Sequence, residues 1–379
     1  MTEMRIPLSS PDIEEEDIAA VVRVLRSSRL SLGPVLQEFE RRFAKYIGAP
    51  HAVAVSSGTA GLHLSLLALG IRAGDEVIVP SFTFIAAANA IRYVGAVPVF
   101  VDIDPVTLNM DPQCADRAIT SRTRALMVVH TFGSPADLSA LLDIASRHNL
   151  KVIEDACEAI GAEYKGRKVG TLGHAGVFAF YPNKQITTGE GGMVVTGDED
   201  VAAAIRSLRN QGRRPGGDWF EHFDLGYNYR IPEMSCALGL TQLGRIETIL
   251  ERRRMVAEEY DRRLRGFQGL ILPPLTMPDR VISWFVYVVR LGDELIVAQR
   301  DAIRQSLIDQ CIGCGRYFAP IHLQPSYRSL PSANLRLLAT ESQAARTLAL
   351  PFFNRITSEQ LAEVCDCLIE AARLKLGKI

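Results

Sequence analysis

Short apolar runs alternate with longer amphipathic segments between about residues 50 and 200, and this alternation limits the possible folds more than any other feature. The apolar runs predict strands at 51–57, 76–80, 97–104, 125–130, 151–157, 176–181 and 192–196. Helical spacing separates them at 59–70, 82–95 and 137–150. This order is typical of an α/β fold with a mainly parallel, seven-stranded sheet that helices cover on both faces.

A second section follows, with a different order of elements. Helical spacing without proline runs from about 233 to 265, a strand is predicted at 284–291, and helices are predicted at 298–310 and 357–376, the last opened by Thr357 as N-cap. These elements indicate a smaller C-terminal α+β domain. We therefore expect an N-terminal segment (1–30) that packs on the small domain, a large domain (31–250) and the small domain (251–379).

Composition narrows the class of protein. Apolar residues make up 47% of the 379 residues and charged residues 22%, which suits a chain with a sizeable core. The 42 basic and 43 acidic side chains give a net charge of −1, so nucleic acid is not expected as a partner. No apolar run is long enough to span a membrane. Seven cysteines, an odd number spread over a long chain, favour reduced thiols and a cytoplasmic location.

The first segment that could carry chemistry is the turn between the strand at 51–57 and the helix at 59–70. Ser57, Gly58 and Thr59 are small and leave the first backbone N–H groups of the helix uncovered. Those groups and the helix dipole favour a phosphate group, and the Thr59 hydroxyl could add a hydrogen bond. The alternative is helix capping alone, because helices often begin with such residues for that reason.

The second segment is the strand at 151–157, which contains Glu154 and Asp155 near its carboxyl end. Ligands of open α/β sheets bind at this edge. A carboxylate there could hold a proton on a heterocyclic nitrogen through a charge-assisted hydrogen bond. The alternative is an aspartate that caps the following helix.

The third segment places Lys184 just after the strand at 176–181 and before the glycine-rich run 189–192. A lysine among apolar and small residues is desolvated, which favours the free amine that Schiff-base chemistry needs. Glycines would let the backbone pass close to a bound ring. The alternative is a surface lysine in a hairpin loop.

The order of these segments favours a pyridoxal 5'-phosphate site, because together they anchor a phosphate, protonate a pyridine nitrogen and supply an amine for the aldehyde. Four longer segments, GTAGLHLSLLALGIRAGDEVIVPSFTFIAAANAI, VIEDACEAIGAEYKGR, FAFYPNKQITTGEGG and LGYNYRIPEMSCALGLTQL, together with VFVDIDP, resemble the DegT/StrS sugar aminotransferases. The resemblance covers about residues 5 to 375 and implies a fold-type-I pyridoxal phosphate enzyme.

The resemblance also implies roles for individual residues. It assigns the covalent attachment of the cofactor aldehyde to Lys184 and the pairing with the pyridine nitrogen to Asp155. The remaining cofactor contacts that it implies are Gly58 and Thr59 at the phosphate, Phe84 against the ring, Glu158 near the ring hydroxyl and Asn228 reaching the phosphate of the neighbouring subunit. A homodimer with shared sites is therefore expected.

Two positions depart from the commoner family pattern. Many members have serine where Ala179 stands, so phosphate binding would depend more on Thr59, the backbone and Asn228. Glu158 occupies a place often held by glutamine, and an ionised glutamate can only accept hydrogen bonds. Glu158 also favours the subgroup of sugar 4-aminotransferases that resemble perosamine synthases.

Other candidates have weaker support from the sequence. Tyr317, His322 and Arg328 lie in a segment that resembles the family's sugar-binding region. Arg213 or Arg214 could bind a sugar nucleotide diphosphate, although a solvated loop explains them as well. Cys311 and Cys314 lack a second pair of ligands at zinc spacing, so no metal is expected.

The resemblance implies a transaminase that moves an amino group from glutamate to a keto nucleotide sugar in amino-sugar and polysaccharide biosynthesis, with a 4-keto-6-deoxyhexose favoured. An acceptor such as a 3-keto sugar or a keto cyclitol in antibiotic biosynthesis stays open, because the catalytic residues would be the same. A non-enzymatic sensor on the same fold is a further alternative. A dehydratase is disfavoured, because relatives of that type replace the lysine with histidine.

Overall fold

The computed structural model describes residues 4–214, 216–218, 220–292, 297–328 and 334–376. Its helices are α1 (Glu15–Leu25), α2 (Pro34–Ile47), α3 (Gly58–Ala68), α4 (Ala86–Tyr93), α5 (Pro112–Arg117), α6 (Leu138–Arg147), α7 (Glu199–Arg209), α8 (Glu233–Gly244), α9 (Ile246–Leu264), α10 (Val297–Asp309), α11 (Leu338–Arg346) and α12 (Ser358–Leu376). Its strands are β1 (His51–Val55), β2 (Glu76–Pro80), β3 (Val97–Val101), β4 (Thr123–Val129), β5 (Lys151–Asp155), β6 (Glu163–Tyr164), β7 (Arg167–Lys168), β8 (Ala175–Ala179), β9 (Gly192–Thr196), β10 (Leu270–Ile271), β11 (Arg280–Val281), β12 (Tyr287–Leu291) and β13 (Thr347–Leu350).

The main sheet has seven strands in the order β1-β9-β8-β5-β4-β2-β3. Strand β9 runs antiparallel to both neighbours, and the other pairs are parallel. Five of the seven strands lie within predicted apolar runs, and β4 and β8 overlap theirs but begin two residues and one residue earlier. The prediction of a mainly parallel sheet is confirmed. Apolar side chains are buried on both faces of the sheet, as helix-covered strands require.

The two faces of the sheet pack against different helices. On one face, Phe39 and Phe43 of α2 pack against Phe178 and Phe180, with ring centroids 5.2 to 5.7 Å apart. On the other face, α3, α4 and α7 form a second buried cluster. The sheet is therefore held between helices on both faces, which determines the positions of its strand ends.

The C-terminal part of the chain has its own core. Strands β10, β12 and β13 form an antiparallel sheet, and α9, α10 and α12 contribute to the same buried cluster. Tyr260 and Tyr287 stack at its centre with ring centroids 4.9 Å apart. A second small antiparallel sheet joins β11, β6 and β7.

The N-terminal segment contacts both halves of the chain. Ile6 pairs with Ile312 near the C-terminal core, whereas α1 packs against α8. Asp12 binds Arg245 of α8–α9 and Arg355 near α12, at 3.2 and 2.6 Å. The proposed division at residues 30 and 250 stays a prediction.

Two boundaries differ from the sequence prediction. The single helix expected over 233–265 is two helices, because Arg245 leaves the helical conformation (φ −117°, ψ 19°). The strand expected from residue 284 begins at Tyr287.

Within the described ranges, no helix combines the length and the apolar character that crossing a membrane requires.

Candidate active site

Lys184 lies in the turn that follows β8, where its backbone N–H donates to the carbonyl of Tyr181 at 2.9 Å. Its Nζ is 3.5 Å from Glu158 Oε1, and the side chain is 13% exposed. The same Nζ is 3.9 Å from the centre of the Phe285 ring. These contacts exclude the alternative of a solvated surface lysine.

Asp155 ends β5, and because β5 and β8 are parallel neighbours, its side chain reaches the same sheet edge as Lys184. The carboxylate is buried, and Oδ1 accepts a hydrogen bond from the Cys157 N–H at 3.2 Å. Burial raises the pKa of Asp155, against the hydrogen bonds from Cys157 and the positive charge of Lys184. A buried carboxylate in this position is stabilised by a cationic partner, such as a protonated ring nitrogen.

Glu154, the neighbour of Asp155, has a different environment. Its carboxylate accepts hydrogen bonds from backbone N–H groups of the loop 170–173 at 2.6 to 2.7 Å and lies 3.0 Å from His130 Nε2. Although burial acts in the opposite direction, the bonds from His130 and the loop hold the pKa of Glu154 below its usual value. Glu154 therefore fixes a loop, and Asp155 is the carboxylate available to the site.

Glu158 is buried beside Lys184 and accepts a hydrogen bond from the Phe132 N–H at 2.9 Å. Burial raises the pKa of Glu158, and the charge of Lys184 opposes this effect. Its carboxylate therefore has a defined position between a backbone donor and the amine.

The turn at the start of α3 is closely packed. Ser57 caps the helix by accepting a hydrogen bond from the Ala60 N–H at 3.1 Å. A Cβ on Gly58 would lie 2.8 Å from Ala179 Cβ and from Cys157 Sγ, so glycine lets the helix terminus approach the end of β8. Thr59 is partly exposed. The helix cap is thus supplied by Ser57, and Thr59 is not needed for it.

Phe84 and Asn228 are both exposed in the single chain. Phe84, in the loop after β2, is 61% exposed. Asn228 lies between Tyr227 and Tyr229, whose rings stack 5.1 Å apart. Because the Tyr229 carbonyl accepts from the Ser56 N–H at 2.9 Å, this segment runs beside the turn that opens α3.

The three predicted sugar contacts occupy different environments. The Tyr317 ring is parallel to that of Phe285, with centroids 6.4 Å apart. Tyr317 therefore lies beside the ring that contacts Lys184. Burial and the charge of Glu158 raise the pKa of Tyr317. His322 is completely buried, with Nδ1 2.7 Å from Ser81 Oγ. Arg328 is exposed at the edge of the described range 297–328.

The remaining candidates are the loop around Arg214 and the cysteine pair. Arg214 pairs with Asp224 at 2.9 Å, and parts of its loop, residues 215 and 219, lie outside the described residues. Cys311 and Cys314 are free thiols, and the described part of the chain contains no group of three or more side chains placed to hold a metal ion.

Sequence reasoning missed Phe285 and Gln185. Phe285 lies in an apolar run that reads as a strand, and nothing local distinguishes it from a core residue. Gln185 donates from Nε2 to the Glu158 carbonyl at 2.7 Å and to Ser283 Oγ at 2.9 Å. Its position directly after Lys184 is the one signal that could have identified it.

The chemistry of these groups fits pyridoxal phosphate. The Lys184 amine suits the aldehyde, the buried Asp155 carboxylate suits the pyridine nitrogen, and the exposed Phe84 ring offers a stacking face. The Thr59 hydroxyl and the start of α3 suit the phosphate group.

Comparisons with known proteins agree with pyridoxal phosphate as the cofactor. The profile of the DegT/DnrJ/EryC1/StrS aminotransferase family matches residues 11–369. GDP-perosamine synthase of Caulobacter vibrioides is 40% identical over 367 residues, covering 96% of this chain and 97% of the relative. The structure of S. venezuelae DesV superposes with a TM-score of 0.90 at 39% identity, covering 97% of this chain and 99% of DesV. The structure of Spr1654 from Streptococcus pneumoniae, a sugar aminotransferase in its PLP form, superposes with a TM-score of 0.92 at 27% identity, covering 97% of this chain and 99% of Spr1654.

Fold and site together define a pyridoxal phosphate enzyme of fold type I. The chain belongs to the DegT/DnrJ/EryC1/StrS aminotransferase family, and its activity is that of an aminotransferase in amino-sugar biosynthesis.

Proposed function

We propose that the protein transfers an amino group from glutamate to the keto carbon of a nucleotide-linked 4-keto-6-deoxyhexose, with Lys184 and Asp155 as catalytic residues. The observation that carries the proposal is the position of Lys184 Nζ beside the Glu158 carboxylate, at the same sheet edge as Asp155. The choice of a 4-keto sugar is supported by the 40% identity with GDP-perosamine synthase.

Each residue has a distinct task in this reaction. Pyridoxal phosphate supplies an aldehyde that accepts the amino group and a ring that withdraws electrons from the reacting carbon. The Lys184 amine, displaced by the donor, would move a proton from the donor's reacting carbon to the cofactor, and would move a proton in the opposite direction when the keto sugar is aminated. The Asp155 carboxylate keeps a proton on the ring nitrogen, and Glu158 holds the Lys184 ammonium nearby.

A homodimer is part of the proposal. Asn228 of one subunit would bind the phosphate held by Gly58 and Thr59 of the other, together with Phe84 against the ring. Exposed apolar side chains in the same region of the chain support a covered surface, since Phe220 is 82% and Leu225 is 90% exposed.

We place the enzyme in the cytoplasm, which the seven free thiols support.

The acceptor is tested by incubating the holoenzyme and glutamate with GDP-, UDP- and dTDP-linked 4-keto and 3-keto sugars and a keto cyclitol, with products read by mass. We expect amination of a 4-keto nucleotide sugar and no product with Lys184→Ala. Lys165→Ala, at a lysine that bonds Ser139 on the surface, is the matched control and should stay active. Product from a 3-keto sugar or cyclitol alone would overturn the acceptor assignment. A protein whose absorbance does not change with glutamate would favour a sensor.

A further inference from the structure

The segment 283–285, which leads into β12, is fixed beside Lys184 by a set of buried contacts. The Ser283 N–H donates to the Gly133 carbonyl at 3.0 Å, and Gln185 donates to Ser283 Oγ at 2.9 Å. Gly133 has φ +83°, and a Cβ there would lie 1.7 Å from the Ser283 carbonyl oxygen, so this approach requires glycine. Because Gln185 follows Lys184 directly, the turn that carries Lys184 and the segment 283–285 are held together.

Arg253 of α9 holds the other side of this segment. Its Nε donates to the Trp284 carbonyl at 2.7 Å, Nη2 to the Phe285 carbonyl at 2.8 Å and Nη1 to Asn354 Oδ1 at 2.9 Å. The side chain is buried, and burial lowers the pKa of Arg253 to about 10, with Asp12 opposing. It is therefore charged at neutral pH. A buried guanidinium is unfavourable unless its donors are satisfied, and here two of them are satisfied by consecutive carbonyls.

The side chain fixed by these contacts faces the reacting amine. Phe285 is 4% exposed, and Lys184 Nζ lies 3.9 Å from the centre of its ring. Glu158 Oε1 lies 3.5 Å from the same nitrogen. An ammonium over an aromatic face is attracted by the electrons of the ring, most strongly where water is excluded.

We propose that Phe285 is a further active-site residue, whose ring holds the charged Lys184 amine in place, and that Arg253 is the positioning residue that fixes Phe285. The inference rests on the proposed function of Lys184. The Lys184 amine must carry a proton and return to one position in every turnover, and the Phe285 ring and Glu158 together define that position.

The ring is tested on the apoprotein, without any turnover, by limited acetylation with acetic anhydride and peptide mass mapping. Phe285→Leu removes the aromatic face and keeps an apolar side chain, so Lys184 should be acetylated about fivefold to tenfold faster relative to the exposed Lys165. Phe285→Tyr keeps the face and should stay within about twofold of wild type. Equal rates in the leucine and tyrosine variants would overturn the role of the ring.

Arg253 is tested by Arg253→Met in the same assay. If Arg253 acts through Phe285, the variant should raise Lys184 acetylation as Phe285→Leu does, and the double variant should show no further increase. Arg253→Lys, which retains a charge and a donor, should give an intermediate rate and serves if the methionine variant does not fold. Phe100→Leu, at a buried ring packed on Tyr327, controls for general destabilisation and should leave Lys184 acetylation unchanged. If Lys184 were acetylated at the wild-type rate in both Arg253 variants, Arg253 would have only a structural role, and its assignment as the residue that positions Phe285 would be overturned.

The two proposals fail separately. If wild-type protein forms no borohydride-reducible link between pyridoxal phosphate and Lys184, the proposed function fails whatever the acetylation rates are. If that link forms but the leucine variant at Phe285 is acetylated as wild type is, only the present inference fails.

Discussion

Three carboxylates lie within five residues of one another, and their surroundings give them different tasks. Glu154 accepts hydrogen bonds from a loop and from His130, which stabilise its charge. Asp155 and Glu158 are buried with fewer donors, and burial raises the pKa of each. Buried carboxylates with raised pKa values are typical of functional sites, because their charge is stabilised by what binds there.

The raised pKa of Glu158 predicts a pH dependence of stability in the apoprotein. A carboxyl whose pKa is higher in the folded than in the unfolded chain binds protons more tightly when folded, so its contribution to stability falls as pH rises through that interval. Glu158→Gln removes this effect. Urea unfolding between pH 4.5 and 8 should therefore show the variant gaining stability relative to wild type as pH increases. Glu190→Gln, at an exposed carboxylate, is the matched control for the removal of a charge. If the stability of Glu158→Gln relative to wild type stayed constant or fell as pH increased, the role of burial would be contradicted.

Residues that follow strand ends could be predicted from the sequence, whereas those brought in from elsewhere could not. Lys184 and Asp155 follow apolar runs, and parallel strands bring their ends to one edge. Phe285 contacts Lys184, and Arg253 contacts the Phe285 backbone, across segments far apart in the chain. Such tertiary contacts leave no periodic signal in a single sequence.

Among the elements, the seven strands of the main sheet and the N-cap of α12 were predictable, whereas the short strands β6, β7, β10 and β11 and the break at Arg245 were not. The pattern over 233–265 is helical throughout, but the Arg245 guanidinium donates to the Asp12 carbonyl and to Asp17 Oδ2, at 2.5 and 2.7 Å. These bonds to the N-terminal segment accompany the change in backbone direction. A local pattern therefore indicates where a helix can form, and distant partners determine where it is interrupted.

The predicted N-cap of α12 is confirmed and gives a prediction at this scale. Thr357 Oγ1 accepts from the Gln360 N–H at 3.2 Å, and Gln360 Oε1 accepts from the Thr357 N–H at 3.0 Å, which is a capping box. Thr357→Ala should lower the free energy of unfolding by about 1 kcal/mol, measured by urea denaturation. Thr357→Ser keeps the acceptor and should be close to wild type. Equal losses in both variants would contradict the role of the hydroxyl acceptor, because serine retains it.

At the scale of the whole molecule, the N-terminal segment connects the two halves of the chain. The proposed dimer would complete the cofactor site. Asp12 binds Arg245 and Arg355, which lie on opposite sides of α9 in the sequence. Asn228 is exposed in one chain, although the resemblance assigns it to the cofactor phosphate. This combination is expected when a residue acts in the site of a partner subunit.

Shared sites predict that two inactive variants complement each other. Lys184→Ala and Asn228→Ala should each impair the homodimer, through the missing amine and through weak cofactor retention. A mixed dimer has one site that carries both changes and one that carries neither, so co-expression should restore about a quarter of wild-type activity. Co-expression of Lys165→Ala with Lys184→Ala controls for dilution. Activity no higher than the sum of the separate variants would contradict sharing.

The central claim is that the Lys184 side chain forms the covalent link with pyridoxal phosphate. Borohydride reduction of the holoenzyme, followed by proteolysis and peptide mass mapping, tests it directly. We expect the reduced cofactor on the peptide that contains Lys184, and no modification in Lys184→Ala. The cofactor on any other lysine, or no modified peptide in wild-type protein, would contradict the account.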